Sequence, residues 1–398
     1  MKINQQYIKN NNMKQLYYLL KNNACLSRAS LAKMTGLSKT TVSSLIDELI
    51  QKEFAADNGT ASSNLVGRKP NHLSLTGEKH CIAAIYWGPE LMTGALIALD
   101  GSLFEKQYLS LTSVSGYAKN LNSLFLCLSE KAAGLCRIIG LCIVMPAMLD
   151  RENKRILSTV LPLENELDVV ENIRNEIKEV PIAFLNDTAC LAYAENPSAR
   201  QKEDTFAYVN LDQGIGSAFF VDGKLLGGAG GSKTQFGHYS IDAQGITCAC
   251  GNRGCLEVMI GERALPRLLR EGGGSEPLDL KEPLSYADIQ IAAMNGDKAA
   301  HYAIGYIADN LAAALSNLIS LFSPKRIILG GSGRSLGTLF LQELTTIIKN
   351  HGFQKMVEVV DIQYSVLGED ACFIGAMEYY FENYFRFTED MSECIFIG

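Results

Sequence analysis

The apolar positions near the start of the chain predict a three-helix module. One helix face is formed by four residues at helical spacing: Met13, Leu16, Tyr17 and Leu20. Ser27 can cap a second helix that ends near Met34, and Gly36 supplies the turn that a helix-turn-helix motif needs. Ser38 then caps a third helix over about residues 39–52, whose apolar face is Val42, Leu45, Ile46 and Leu49. The pattern therefore predicts a helix-turn-helix.

The opposite face of the third helix is polar near its start, as in a recognition helix that enters the major groove of DNA. A polar turn at 57–64 and an extended segment at 67–75 predict a wing with a basic tip. The candidate DNA-binding residues are Ser38, Lys39, Thr40, Thr41, Ser43, Ser44, Arg68 and Lys69. A protein-interaction or dimerisation module is the alternative. Because the module lacks an aromatic stacking platform of the RNA-binding kind, double-stranded DNA is the expected partner.

Two later segments share one pattern. Strands at 81–87 and 91–99 precede Asp100-Gly101, and strands at 207–211 and 217–221 precede Asp222-Gly223, a hairpin signal in both copies. Helical stretches follow each copy, at 118–133 and at 299–321. The alternation predicts an α/β body of two lobes, with ligands expected in the cleft between them. The predicted domains are a winged helix-turn-helix at 1–75, a first lobe at 76–190 and a second lobe, with the C-terminal helices, at 191–398.

Charge separates the first domain from the rest. The chain of 398 residues has a net charge of −7, but residues 1–75 hold ten Lys/Arg against four Asp/Glu, a balance of +6 that leaves −13 for the remainder. A basic module is suited to phosphate contacts. The longest apolar stretch noted, 138–149, is too short to span a bilayer, and no secretory signal is evident. A cytoplasmic protein without a membrane partner is expected.

Cysteine spacing predicts a metal site. Cys248, Cys250 and Cys255 fall within eight positions, and His238 precedes them by ten residues. Three thiolates and one imidazole form a closed tetrahedral set for structural zinc, with no position left open for water. Incidental burial of three cysteines is the alternative. A disulfide framework is disfavoured, because the cytoplasm is reducing.

These motifs together resemble the ROK family of bacterial repressors and sugar kinases. The cysteine loop with Leu256-Glu257 and the Gly237-His238 step matches the family signature, and the winged module with 67–70 matches the repressor branch. The resemblance implies an actin-like (ribonuclease H-like) two-lobed body and a sugar site. The residues that it implies for sugar binding are Asn186, Asp187, Gln235, His238 and Glu257.

Within that resemblance, the kinases use the residue at Asp187 as a base, and the run at 327–333 resembles the family's glycine-rich step near the nucleotide base. Two local alternatives remain open. Asn186-Asp187 is also typical of an Asx turn or a helix cap, and a strand ending in glycines is also an ordinary turn.

The chain departs from the kinases of this family where they hold magnesium and phosphate. An aspartate followed by glycines is replaced by Tyr86-Trp87-Gly88-Pro89-Glu90. A phenol cannot substitute for a carboxylate at magnesium, and proline removes a backbone donor. Gln235 replaces a usual glutamate and Ala147 a common glycine, so sugar preference is expected to differ.

The predicted function is a DNA-binding transcriptional regulator, a repressor whose operator affinity is controlled by a sugar and which catalyses no reaction. A homodimer or a dimer of dimers is expected on a palindromic operator. Two alternatives remain: an ATP-dependent sugar kinase with an added DNA-binding arm, and a DNA-binding protein whose cleft has lost sugar as well as ATP.

Overall fold

The structure is a computed structural model, and it describes residues 5–23, 25–60, 71–111, 116–150, 152, 154–163, 168–196, 205–227, 234–273, 283–351 and 353–387. The chain divides into two compact units. The first combines Met1–Gln201 with Glu369–Gly398, and the second is Lys202–Gly368.

The first unit begins with the predicted winged helix-turn-helix. Its elements are α1 (Gln5–Asn22), α2 (Arg28–Thr35), α3 (Lys39–Gln51), β1 (Ala55–Thr60) and β2 (Asn71–Leu75). Ser27 and Ser38 cap α2 and α3, each accepting a hydrogen bond of 3.1 Å from a backbone N–H three residues later. Gly36 ends α2 with φ of 72°, a conformation that favours glycine. The two strands pair antiparallel as a wing, and residues 61–70, with Arg68 and Lys69, lie outside the described residues.

A mixed five-stranded sheet forms the body of the first unit. Its order is β5-β4-β3-β6-β9, antiparallel among the first three strands and parallel among the last three. The elements are β3 (His80–Trp87), β4 (Leu91–Ala98), β5 (Leu103–Ser110), α4 (Tyr117–Ala132), β6 (Arg137–Met145), β7 (Ala147–Leu149), β8 (Ile156–Thr159), α5 (Val169–Glu176), β9 (Ile182–Asn186) and α6 (Asp187–Glu195). Helices α4 and α5 cover one face of this sheet, burying apolar side chains from both layers.

The second unit repeats this topology. Its sheet order is β12-β11-β10-β13-β14, again with an antiparallel half and a parallel half. The elements are β10 (Phe206–Leu211), β11 (Ile215–Val221), β12 (Lys224–Leu225), α7 (Leu256–Ile260), α8 (Leu265–Glu271), α9 (Tyr286–Met294), α10 (Lys298–Phe322), β13 (Arg326–Gly330), α11 (Gly337–His351), α12 (Gln354–Val357) and β14 (Asp361–Tyr364). The duplicated α/β body predicted from the two hairpin patterns is confirmed.

Helix α10 organises the core of the second unit. By length and composition it is apolar enough to cross a membrane, a property that the sequence interpretation overlooked in favour of 138–149. Its apolar side is instead buried among α7, α8, α9 and α11, with Ile307, Leu311 and Leu315 fully inaccessible to solvent. A core helix passes the same length test as a membrane span.

The last helix, α13 (Ala371–Asn383), differs from the predicted domain division. The sequence places the C-terminal helices and everything after residue 190 in the second lobe. Helix α13 instead packs on β3, β6 and α6, so residues 369–387, and all of α6, belong to the first unit. Helix α13 is almost 300 residues from β3 in sequence, and local sequence patterns do not predict a contact over such a separation.

Candidate functional site

Helix α3 presents a polar face at its N-terminal end. Ser38, Lys39, Thr40, Thr41 and Ser44 are exposed, and Ser43 is half-buried. The Ser38 hydroxyl oxygen lies 2.8 Å from the Oγ1 atoms of both Thr40 and Thr41, so the cap and the first turn share one hydroxyl network. The opposite face is buried through Val42, Leu45, Ile46 and Leu49. The predicted division into a packed and a solvent-facing side of α3 is therefore present.

Arg28 braces the two helices of the motif, a role that sequence reasoning missed. Its guanidinium lies 2.7 Å from Asp47 Oδ1 and donates a hydrogen bond of 3.2 Å to the carbonyl of Ser43. Both partners belong to α3, whereas Arg28 is the first residue of α2. Arg28 and Asp47 look like ordinary surface charges in the sequence, because they are nineteen positions apart and pair only when α2 crosses α3.

Four side chains in the second unit could hold a metal ion. The ligand atoms of His238, Cys248, Cys250 and Cys255 all lie within 4.8 Å of one another. His238 Nδ1 is 3.6 Å from Cys248 Sγ, and the sulfurs of Cys250 and Cys255 are 3.6 Å apart. The predicted ligand set therefore converges on one position.

Glycines shape the loop that carries these ligands. Gly251 and Gly254 have φ of 91° and 57°. A Cβ on Gly254 would lie 2.0 Å from the carbonyl oxygen of Asp242, so only glycine fits between the two backbones. The N–H of Cys248 donates to the carbonyl of Asn252 at 2.8 Å, which closes the turn that brings the cysteines together.

The backbone of Ile215 contacts two residues that flank the candidate metal ligands in sequence, Gly237 and Glu257. A Cβ on Gly237 would lie 2.2 Å from the Ile215 carbonyl oxygen, so the step before His238 runs directly against β11. On its other side, the Ile215 N–H donates to Glu257 Oε2 at 3.0 Å. Glu257 follows Cys255 by two positions, at the start of α7. Gln235 is exposed, and its carbonyl accepts the His238 N–H at 3.0 Å. The Gln235, His238 and Glu257 candidates thus belong to one local framework.

Asn186 and Asp187 lie in the first unit, where β9 meets α6. Asn186 Oδ1 accepts the Ala189 N–H at 3.0 Å, so Asn186 is the helix cap that the sequence left open as an alternative. Its amide donates to the Ala147 carbonyl at 3.2 Å and to Asp187 Oδ1 at 2.9 Å. Asp187 Oδ1 also accepts the Thr188 N–H at 2.7 Å. Burial raises the pKa of Asp187 to about 6 despite these hydrogen bonds.

The turn after β3 is closed by its own backbone. The N–H of Gly88 donates to the Leu91 carbonyl at 3.0 Å, and Pro89 has no N–H to offer. The Trp87 ring is buried and stacks on Tyr117 at 5.2 Å between centroids. The backbone N–H of Gly88 is therefore engaged within the turn itself.

The glycine-rich step after β13 also has a local explanation. Gly331 has φ of 74°, and a Cβ there would lie 2.3 Å from the Leu211 carbonyl oxygen. Ser332 Oγ donates to that same carbonyl at 3.3 Å. The step therefore packs β13 against the end of β10, which requires glycine independently of any nucleotide.

Both the N-terminal module and the α/β body match known protein families. The ROK family profile matches residues 82–382, and a winged helix-turn-helix DNA-binding profile matches residues 9–54. The xylose repressor of Bacillus subtilis (strain 168) is 27% identical over 378 residues, covering 93% of this chain and 95% of that protein. The N-acetylmannosamine kinase of Yersinia pestis (strain Pestoides F) is 32% identical over 164 residues, which cover 41% of this chain and 54% of the kinase.

A solved structure extends the agreement to the fold. The crystal structure of a ROK family transcriptional regulator described as a homolog of the E. coli MLC protein has a TM-score of 0.81 at 24% identity, covering 93% of this chain and 95% of that chain. A winged helix-turn-helix followed by a duplicated α/β body defines a DNA-binding transcriptional regulator. The chain belongs to the ROK family.

Proposed function

We propose that this protein is a cytoplasmic repressor that binds a palindromic operator as a homodimer or a dimer of dimers and releases it when a monosaccharide binds. The observation that carries the proposal is that a capped recognition helix and the Asn186-Asp187 pair belong to one compact unit. A ligand at that pair therefore acts on the same folded unit that reads DNA. The relatives that match most of the chain support repression, since they are xylose repressors.

For DNA, the proposal uses the exposed start of α3 and the wing. Hydroxyl groups and a lysine at a helix N-terminus can meet base edges and phosphates in the major groove. The proposed DNA-binding residues are Ser38, Lys39, Thr40, Thr41, Ser43, Ser44, Arg68 and Lys69. Half-sites separated by one or more helical turns of DNA are expected, because a two-fold protein reads two-fold DNA.

For sugar, the proposal uses Asn186, Asp187, Gln235, His238 and Glu257. Asp187 Oδ2 and the second ring nitrogen of His238 are suited to hydroxyl groups, because Oδ1 and Nδ1 already face protein partners. Gln235 brings an amide that can donate as well as accept. Xylose is the first sugar to test, because the repressor relatives are named xylose repressors.

The metal that fits the cluster is zinc, in a structural role. Zinc bonds of about 2.3 Å to sulfur and about 2.0 Å to nitrogen give tetrahedron edges of about 3.8 Å between sulfurs and about 3.5 Å from sulfur to nitrogen. The observed separations of 3.6 Å are close to both. Three thiolates and one imidazole fill the coordination sphere, so zinc here would supply folding energy to the loop and no catalysis.

A sugar kinase is the second candidate function. It is favoured by the raised pKa of Asp187, since a base with a pKa of about 6 can accept a proton from a hydroxyl near neutral pH. Against it stand Tyr86, the closed turn at Gly88 and the absence of a donor at Pro89. Phosphoryl transfer depends on placing magnesium and phosphate, so we propose that this protein does not catalyse it.

The test is thermal unfolding of the zinc-loaded protein against xylose, other monosaccharides, N-acetyl sugars and sugar phosphates, each with and without ATP and magnesium. Binding to the folded state raises the midpoint by mass action. One sugar is expected to raise it, with no further rise from ATP and magnesium. A further rise with ATP, accompanied by sugar phosphate formation, would establish the kinase instead. No response to any sugar would refute the effector part of the proposal.

A further inference from the structure

Helix α13 connects the two candidate sites of the first unit. At one end it crosses α6, the helix that begins at Asp187. A Cβ on Gly375 would lie 1.9 Å from the Cys190 carbonyl oxygen, so the backbones of the two helices are in direct contact. Along its length, α13 packs on the sheet, where the Tyr380 hydroxyl donates to the Ile139 carbonyl at 3.1 Å. Helices α6 and α13 therefore pack directly on each other, and α13 packs directly on the sheet.

At its other end α13 is held by the DNA-binding module. Lys14 of α1 is 8% exposed, and its ammonium donates to the carbonyls of Phe381 at 2.5 Å and Glu382 at 2.6 Å. These carbonyls belong to the last turn of α13, where a helix leaves its carbonyls without intrahelical partners. A cation at this end also interacts favourably with the helix dipole. The Lys14 ammonium therefore fixes where α13 ends relative to α1.

Further contacts extend this attachment to the rest of the module. Lys21 of α1 lies 2.6 Å from Glu378 of α13. Beyond the helix, the Phe387 N–H donates to Asn10 Oδ1 at 3.0 Å, and the Phe387 carbonyl accepts from Lys52, the residue that follows α3. The Phe54 ring packs against Phe387 at 4.9 Å between centroids. The segment after α13 is thus joined to both α1 and the recognition helix.

We propose that α13 is the element that transmits sugar binding to the DNA-reading helix, and that Lys14 is the positioning residue that couples α13 to α1 and α3. This inference rests on the proposed function, since it takes Asn186-Asp187 as the sugar contact. A sugar that hydrogen-bonds to Asp187 displaces α6, and α13 moves with it because the backbones are in contact at Gly375. Because packed helices move as units, a displacement of α13 moves the carbonyls that hold Lys14 and reorients α1.

The burial of Lys14 explains why the link is a coupling device and not a passive contact. Burial, together with the nearby Arg386 charge, lowers the pKa of Lys14 to about 7, so near neutral pH its amino group depends on hydrogen bonds as well as on charge. Losing the two α13 carbonyls would leave it unsatisfied. The arrangement of α1 must therefore follow that of α13, which gives two linked positions in place of independent motion.

The test uses the full-length protein with Lys14→Met, which keeps most of the length of the side chain and removes the amino group. In the wild type, saturating sugar is expected to change operator affinity by about 5-fold or more, the range typical of allosteric coupling. In Lys14→Met the sugar Kd stays near the wild-type value while the change in operator affinity falls below about 2-fold. Lys9→Met is the matched control: Lys9 lies on the same helix, but its ion pair is with Glu48 of α3 and not with α13, and the packing of α1 on α3 remains, so coupling should be retained.

A second measurement covers the case in which Lys14→Met does not fold. Hydrogen exchange of the wild type is expected to change at residues 378–387 and in α1 when sugar is added, although neither segment contains a proposed sugar contact. A folded Lys14→Met that keeps wild-type coupling, or unchanged exchange in both segments, would overturn the α13 route. Absence of any sugar response in the wild type would instead refute the proposed function from which the route starts.

Discussion

At the scale of single residues, Asp187 is half-buried and accepts hydrogen bonds from two donors. Burial raises its pKa to about 6, against 3.8 for the ordinary side chain, although Asn186 and Thr188 donate to it. Between about pH 4 and 6 the folded protein therefore retains a proton that the unfolded chain has lost. The contribution of this group to stability is present below that window and is lost as pH rises through it.

Asp187→Asn should for this reason stabilise the protein above pH 6. The amide cannot ionise, and its oxygen can still accept from both donors. We expect the free energy of unfolding to rise by about 1–3 kcal/mol at pH 7.5 and to match the wild type near pH 4, measured by urea unfolding at both values. Sugar affinity should fall in the same variant. An equal difference at the two pH values would contradict a raised pKa.

Thr40 is a proposed DNA contact that contributes little to packing. It is exposed in the first turn of α3, and its hydroxyl lies near Ser38. Thr40→Ala should leave the unfolding midpoint nearly unchanged and weaken operator binding by about 1 kcal/mol, the contribution of a single hydrogen bond. Fluorescence anisotropy with labelled operator measures this. Thr346→Ala, at an exposed threonine of α11, is the matched control and should leave DNA affinity unaltered. A loss of the same size in both variants would sink the assignment of α3.

At the scale of elements, the sequence predicted the helix starts and hairpins, because neighbouring residues determine both. Ser27 and Ser38 indicated the starts of α2 and α3, because caps satisfy backbone groups within the same turn. The two Asp-Gly hairpins likewise predicted the duplicated sheets. Asn10 and Lys14 gave no such signal, since their polarity suggested solvent and both are buried. The attachment of α13 depends on contacts hundreds of positions apart, which periodicity does not encode.

The candidate sites divide in the same way. The cluster of candidate metal ligands was predictable, because eight positions and two glycines confine three cysteines to one loop. Asn186-Asp187 was predicted with two roles open, and the structure gives Asn186 a capping role. The role of Ile215 was not predicted: its carbonyl lies against Gly237, and its N–H donates to Glu257. An isoleucine contributing only its backbone leaves no trace in side-chain patterns.

The cysteine loop makes a prediction at this scale. Cys250 is exposed, so Cys250→Ser removes a proposed ligand without opening a cavity. We expect bound zinc, measured by elemental mass spectrometry, to fall from one per chain to well below one, with a lower unfolding midpoint and faster hydrogen exchange in 238–257. Cys25→Ser, at another exposed cysteine, should retain full zinc. Equal zinc in both variants would contradict the proposed metal centre.

At the scale of the whole molecule, two properties have to be linked for regulation. The basic N-terminal module and the acidic remainder assign DNA contact to one part of the chain. The proposed α6-α13-α1 route would connect Asp187 to the recognition helix through contacts inside the first unit. Linkage then requires reciprocity: a sugar that weakens operator binding must itself bind more weakly to the operator complex.

The most direct test of the central claim measures that reciprocity in the wild type. An operator selected from a random duplex library is titrated with and without saturating xylose, or whichever sugar raises the unfolding midpoint, and the sugar is titrated calorimetrically with and without operator. We predict that sugar weakens operator binding by about 5- to 150-fold and that operator weakens sugar binding by the same factor. Operator affinity that is identical with and without bound sugar would contradict a sugar-controlled repressor.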